Sequence, residues 1–143
     1  MRIAVISDTH GKFPDSIARE LRKADEIWHL GDFCDLTTYS AVVAVGPPVY
    51  AVLGNNDWSL DLPMKLVLER GGRTFLLIHI DPSRSGGTDF LLHGHTHVPR
   101  DEMVGQTRML NPGAITRANP KTWAWLTVDE GTGVISWELQ KIA

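Results

Sequence analysis

Ile3-Ala4-Val5-Ile6-Ser7-Asp8-Thr9-His10 runs from four consecutive apolar residues into a carboxylate and an imidazole one residue apart. An apolar run without polar alternation suits a strand covered on both faces, as in α/β and layered-sheet folds. The same form recurs downstream. Ile27-Trp28-His29-Leu30 leads to Gly31-Asp32, Val49-Tyr50-Ala51-Val52-Leu53 to Gly54-Asn55-Asn56-Asp57, Phe75-Leu76-Leu77-Ile78 to His79, and Phe90-Leu91-Leu92 to Gly94-His95-Thr96-His97. Between the first two runs, Pro14-Asp15-Ser16 precedes Ile17, Leu21 and Ala24 at helical spacing, which predicts a capped amphipathic helix and hence a βαβ unit. A second helix is predicted from Leu36 to Val45, stopped by Gly46-Pro47-Pro48. Gly71-Gly72, between Lys65–Glu69 and Arg73–Ile78, predicts a hairpin, as does Gly131-Thr132-Gly133 between Trp123–Val128 and Val134–Leu139.

The chain has 143 residues, 43% of them hydrophobic, which predicts one domain over residues 1–143. No internal repeat, charge block or low-complexity tract divides it. A core of this size holds without metal or disulfide staples, so metal-binding residues here point to chemistry. With 14 Lys and Arg against 17 Asp and Glu, a net charge of −3 argues against a broad nucleic-acid surface or an anionic-membrane surface. Cys34 is the single cysteine, and no apolar run reaches membrane-spanning length, so a soluble cytoplasmic protein is expected.

In open sheets, ligands collect beyond the carboxyl ends of strands, where distant parts of the chain converge. Asp8, His10, Asp32, Asn55, His79, His95 and His97 all follow apolar runs in this way, offering two carboxylates, one amide oxygen and four imidazoles. That is more than one ion needs. A mixed oxygen and nitrogen set without thiolate suits Mn²⁺, Fe, Zn²⁺, Co²⁺ or Ni²⁺ better than a structural cysteine zinc site or an all-oxygen Ca²⁺ site.

In their order and spacing the five segments resemble the calcineurin-like metallophosphoesterases, in particular their small single-domain bacterial and archaeal phosphodiesterase branch, over residues 3 to 113. The resemblance implies a four-layer αββα sandwich of two mixed sheets. It implies two divalent ions, Mn²⁺ foremost, one held by Asp8, His10 and His97, the other by Asn55, His79 and His95, with Asp32 bridging. It further implies hydrolysis of a phosphate ester, most often a diester, by a hydroxide held between the ions, with Asp32, Asn55 and Asn56 at the reacting centre. Asn111-Pro112-Gly113 matches the segment that follows the last two ligands in that branch, with Ala114 where Ser is usual. The fold also has a non-catalytic use, since a retromer subunit with a degraded metal site serves in protein assembly, and a scaffold is the alternative reading.

Two departures stand out. Asn56 occupies the position of a His that serves many family enzymes as a candidate general acid, and an amide cannot supply that proton. His79 is followed by Ile80-Asp81 where Gly-His and a helix are usual. Pro82, Ser83, Gly86 and Gly87 oppose a helix in the short stretch to Asp89, so a shortened or missing helix is expected near 80–89. Around the site, His29 and His93 read as structural, Asp35 and Asp57 as loop supports, and Cys34 as a packing residue. Trp58, next to the Asn55 loop, reads equally as a stacking surface for a substrate ring or as a packing residue. Arg84, Arg100 and Arg117 are candidates for phosphate contact.

Overall fold

The structure, a computed structural model, describes residues 1–84 and 87–142. Strand β1 (Arg2–Ile6) is followed by α1 (Asp15–Leu21), β2 (Glu26–His29), α2 (Leu36–Val43) and β3 (Val49–Ala51). Then come β4 (Lys65–Arg70), β5 (Arg73–Ile78), β6 (Phe90–Leu92), β7 (Arg100–Val104), β8 (Thr107–Asn111), β9 (Thr122–Val128) and β10 (Ile135–Lys141). They form two five-stranded mixed sheets, ordered β10-β9-β1-β2-β3 and β4-β5-β6-β8-β7.

Within the first sheet β1, β2 and β3 run parallel, with β9 antiparallel to β1. Within the second, β5, β6 and β8 run parallel, and β4 and β7 are antiparallel edges. Side-chain alternation then sorts the apolar runs. Ile3, Val5, Trp28, Leu30 and Leu126 of the first sheet meet Phe75, Leu77, Phe90, Leu92 and Leu110 of the second in the main core. On the outer face of the first sheet, Ala4, Ile6, Ile27 and Trp125 pack with Ile17 and Leu21 of α1 and Val42 of α2. Its central strands are therefore covered on both faces, which is why they carry no polar alternation.

The helix expected to be shortened or missing near 80–89 has no counterpart among the described residues, of which positions 85 and 86 are not part. Both described helices flank the first sheet, and the outer face of the second carries a small cluster of Leu76, Leu91 and Met109 with Ile78 against it.

The predicted hairpins form at β4–β5 and β9–β10. The β7–β8 hairpin was not foreseen: β7, Arg100-Asp101-Glu102-Met103-Val104, is mostly exposed and shows no apolar periodicity. Helix α1 starts as expected, but Pro14 at its N-cap provides no side-chain hydrogen bond. In α2 the cap is real, with Asp35 accepting from the Thr38 amide at 2.7 Å. An arginine–carboxylate pair joins strands of the two sheets. Arg70 of β4 donates from Nε and Nη2 to the Glu26 carboxylate of β2, both at 2.9 Å, and Glu26 also accepts from Trp28 Nε1.

Candidate metal centre

Every one of the seven candidate residues stands just beyond the carboxyl end of a parallel strand: Asp8 and His10 after β1, Asp32 after β2, Asn55 after β3, His79 after β5, His95 and His97 after β6. Glycines permit the close approach of these loops. A β-carbon on Gly54 would overlap the Asp32 backbone and carboxylate, and one on Gly94 would overlap the Ser7 hydroxyl and crowd Asp8. The loops are also bent into an unusual conformation. Asp8, His10, Asp32, His95 and His97 adopt positive φ angles of 58°, 45°, 64°, 70° and 63°. Left-handed backbone at non-glycine residues persists only where the surroundings enforce it, and it concentrates at functional sites.

Two groups of donor atoms result. Asp8, His10 and His97 form the first, with the Nε2 atoms of the two imidazoles 3.2 Å apart. In the second, Asn55 Oδ1 lies 3.0 Å from His79 Nε2 and 3.2 Å from His95 Nδ1. Asp32 stands between them, its Oδ2 3.7 Å from His10 Nε2 and 3.4 Å from His79 Nε2.

Asp8 Oδ1 tests whether the set fits a cation. It is buried and accepts no hydrogen bond, although Nε2 of His97, His10 and His79 stand 3.2, 3.5 and 4.0 Å away. A carboxylate oxygen deprived of both water and donors is costly. A divalent ion among these nitrogens would satisfy it, and the donor set fits such an ion. The other carboxylate oxygen is satisfied, Oδ2 accepting from Ser7 Oγ at 2.5 Å and from the His95 amide at 3.2 Å.

Backbone carbonyls orient the rings. His79 Nδ1 lies 2.7 Å from Leu30 O and His97 Nδ1 lies 3.2 Å from Arg117 O, so each Nδ1–H donates outward and Nε2 is left as the free lone pair. Burial opposes ionisation of Asp32, but His79 and the two Asn56 donors outweigh it and hold its carboxyl well below the usual range. Burial likewise pulls His79 down, yet Asp32, Asp8 and the Leu30 carbonyl raise it overall. His10 moves the other way, its burial outweighing the attraction of Asp8 and Asp32.

Asn56 has a job that its sequence position did not reveal. Its backbone N and side-chain Nδ2 donate to the two oxygens of Asp32, each at 3.0 Å, so it fixes that carboxylate's orientation. Asp57 supports the loops as expected, accepting from the amides of Asp32, Gly54 and Cys34, all at 2.8 Å. Cys34 does more than pack, because its Sγ lies 3.4 Å from His10 Nδ1. His29 is structural: it accepts from the Gly31 amide, contacts Thr9 Oγ1 and stacks on Phe33. His93 lies beside Asn111, which bonds Gly94 O and Thr96 Oγ1 in the His95 loop. Arg100 does not face a phosphate as its type suggested, since Asp81, Glu102 and His93 occupy its guanidinium. Arg117 remains beside His10, in a pocket shared with Lys12 and Lys121.

Comparison with known proteins agrees with this geometry. Residues 1–131 match the model of the calcineurin-like phosphoesterase superfamily domain. A probable metallophosphoesterase of Methanocaldococcus jannaschii is 33% identical over 134 residues, covering 81% of this chain and 69% of that protein. A phosphodiesterase of the same organism is 26% identical over 147 residues, covering 79% and 83%. The crystal structure of wild-type Vps29 complexed with Zn²⁺ from Entamoeba histolytica superposes with a TM-score of 0.77 at 20% identity, over 99% of both chains, which speaks for the fold. Sheet order, the clustered donors beyond the parallel strands and the match over residues 1–131 agree, and the chain belongs to the calcineurin-like phosphoesterase superfamily.

Proposed function

We propose that the protein hydrolyses phosphodiesters at a centre of two divalent ions, Mn²⁺ foremost. Asp8 Oδ1, buried without a hydrogen bond among three imidazole nitrogens, is the observation that carries this reading. Asp8, His10 and His97 would hold one ion, Asn55, His79 and His95 the other, and Asp32 would be shared. Such ions supply Lewis acidity toward phosphoryl oxygens and lower the pKa of water from 15.7 toward ~7.

The chain's own residues do the rest. Asn56 holds both Asp32 oxygens, so that carboxylate keeps one orientation between the two groups. Leu30 O and Arg117 O hold the His79 and His97 rings in the tautomer that leaves Nε2 unprotonated. Asn56 offers no ionisable proton to a departing alkoxide, so esters whose leaving group is already a stable anion are favoured, an aryl diester above an alkyl monoester. The similarity to a phosphodiesterase supports diesters. The full donor set favours catalysis over the scaffold alternative.

The test is hydrolysis of an aryl phosphodiester by metal-stripped and Mn²⁺-loaded protein, beside Asp32→Asn. Turnover should require metal, and Asp32→Asn should lose at least ~10²-fold of it while staying folded. Undiminished turnover after stripping, or near-wild-type rates in folded, loaded Asp32→Asn, would reject the proposal.

A further inference from the structure

Next to Asn55 and His79 lies a cavity of about 320 Å³ that His10 and His97 do not line. Its walls are Trp58, Met64, Ile78 and Ile80, and Asn55 and His79 form the rest of its border toward the metal centre. Among the described residues, no Lys, Arg, Asp or Glu lines it. Away from the Asn55 and His79 border it therefore offers an anion no charge partner and suits an uncharged occupant. Trp58, Met64 and Ile80 around it are 89%, 67% and 48% exposed. Large apolar side chains gathered in water around one opening are stabilised when an apolar ligand covers them. Trp58 is anchored as well as exposed, since its Nε1 donates to Asn55 O at 2.9 Å. That bond ties the indole edge to the loop carrying the Asn55 side chain and leaves a ring face available for stacking. The border at His10 has the opposite character, with Lys12, Arg117 and Lys121 in its pocket. Anionic parts of a substrate are drawn to that flank and an uncharged ring to the Trp58 flank.

We propose that the Trp58 cavity is a subsite for an uncharged planar ring, nucleobase or phenyl, carried by one ester group of a phosphodiester whose phosphorus sits at the metal centre. The proposal rests on the phosphoesterase reading for the position of that phosphorus. Asn55 and His79 belong both to the cavity and to the donor cluster, so the cavity lies beside the place of the ester, next to a phenyl ring about one or two bonds from the ester oxygen or a nucleobase about four or five bonds away across its sugar.

Two measurements test it, one of them independent of catalysis. Trp58 is the only exposed one of the five tryptophans, three of the others being buried and Trp137 half-buried. Titration of metal-free protein with thymidine, and separately with benzyl alcohol, should give saturable fluorescence quenching that Trp58→Leu removes. Quenching by thymidine alone assigns a nucleobase, and by benzyl alcohol alone a phenyl group. In kinetics with Mn²⁺, Trp58→Leu should raise KM about tenfold for a ring-bearing diester, the range expected of base stacking on an aromatic side chain. KM for a dialkyl diester should stay within twofold, and Ile80→Ala should act in the same direction as Trp58→Leu. Absence of quenching together with equal KM changes on both esters overturns the subsite. So does a dimer in sedimentation that Trp58→Leu dissolves, which would assign the surface to a second copy of the chain. Saturable quenching in a protein that hydrolyses no phosphate ester would instead defeat the phosphoesterase reading, and with it the placement of the phosphorus.

Discussion

Replacing Asp57 by alanine isolates the link between two of the candidate ligand loops. The carboxylate is 1% exposed and touches no candidate ligand side chain in the hydrogen bonds it makes; it accepts only from the amides of Asp32, Gly54 and Cys34. In Asp57→Ala three backbone N–H groups lose their acceptor. Each buried donor left unsatisfied costs roughly 1 to 3 kcal/mol, and water entering the vacated space recovers part of that. A loss of about 3 kcal/mol follows at the low end. For a chain of about this size it corresponds to a fall in Tm of roughly 6 to 12 °C. Because the Asp32 and Asn55 loops are joined through this carboxylate, affinity for Mn²⁺ should also fall, by about 10- to 100-fold as for other residues that orient metal ligands. Asp57→Asn is the control: with its amide oxygen in the place of Oδ2 it keeps the Asp32 and Gly54 bonds and turns a donor only toward the Cys34 N–H, so it should lose less than the alanine variant. Thermal unfolding of stripped protein, with Mn²⁺ binding by calorimetry, reads both effects. A Tm within about 2 °C of wild type with unchanged affinity would refute the reasoning.

Saturating Mn²⁺ at about 100 times its Kd should stabilise the protein by about 2.7 kcal/mol, read as a rise in Tm that a chelator reverses; no rise would remove the metal centre. Asn56→Ala deletes one of the two donors holding Asp32 and should weaken Mn²⁺ binding about tenfold by calorimetry with secondary structure intact, whereas unchanged binding would deny Asn56 its positioning role. Arg70→Ala leaves the Glu26 carboxylate, 9% exposed as a side chain, without its cation between the sheets, and should cost about 2 to 3 kcal/mol in chemical denaturation. A loss below about 0.5 kcal/mol would show that solvent already screens the pair.

What could be read from the sequence was whatever depended on covered strands. Ile3–Ile6 and Phe75–Ile78 lack polar alternation because both of their faces are covered by apolar side chains, so the runs announced themselves. Strand β7 could not be read, because it is an exposed edge, largely of charged residues, that pairs with β8 at the end of its sheet. The Glu26–Arg70 pair joins residues 44 apart through a sheet packing that no local pattern encodes. Nor could the Asn56 clamp be read, since position alone shows what proton that residue lacks and not which carboxylate its amide holds.

The candidate site was legible for a deeper reason than motif spelling. All seven residues follow β1, β2, β3, β5 or β6, members of the two parallel sets, whereas β4, β7 and β9, which run the other way, contribute none. Parallel strands must all end at the same edge of their sheet, so residues that follow them are brought together whatever their separation in sequence. A run of apolar residues followed by a turn and a potential ligand, five times over, thus encodes strand direction as well as chemistry. The Asn111-Pro112-Gly113 segment after β8 obeys the same rule: its strand is parallel to β6, and Asn111 reaches the His95 loop through Gly94 O and Thr96 Oγ1. Trp58 follows from it too, because a side chain two residues beyond Asn56 on a strand-end loop shares a cavity with the candidate ligands Asn55 and His79 and is open to water, the position that the proposed subsite requires.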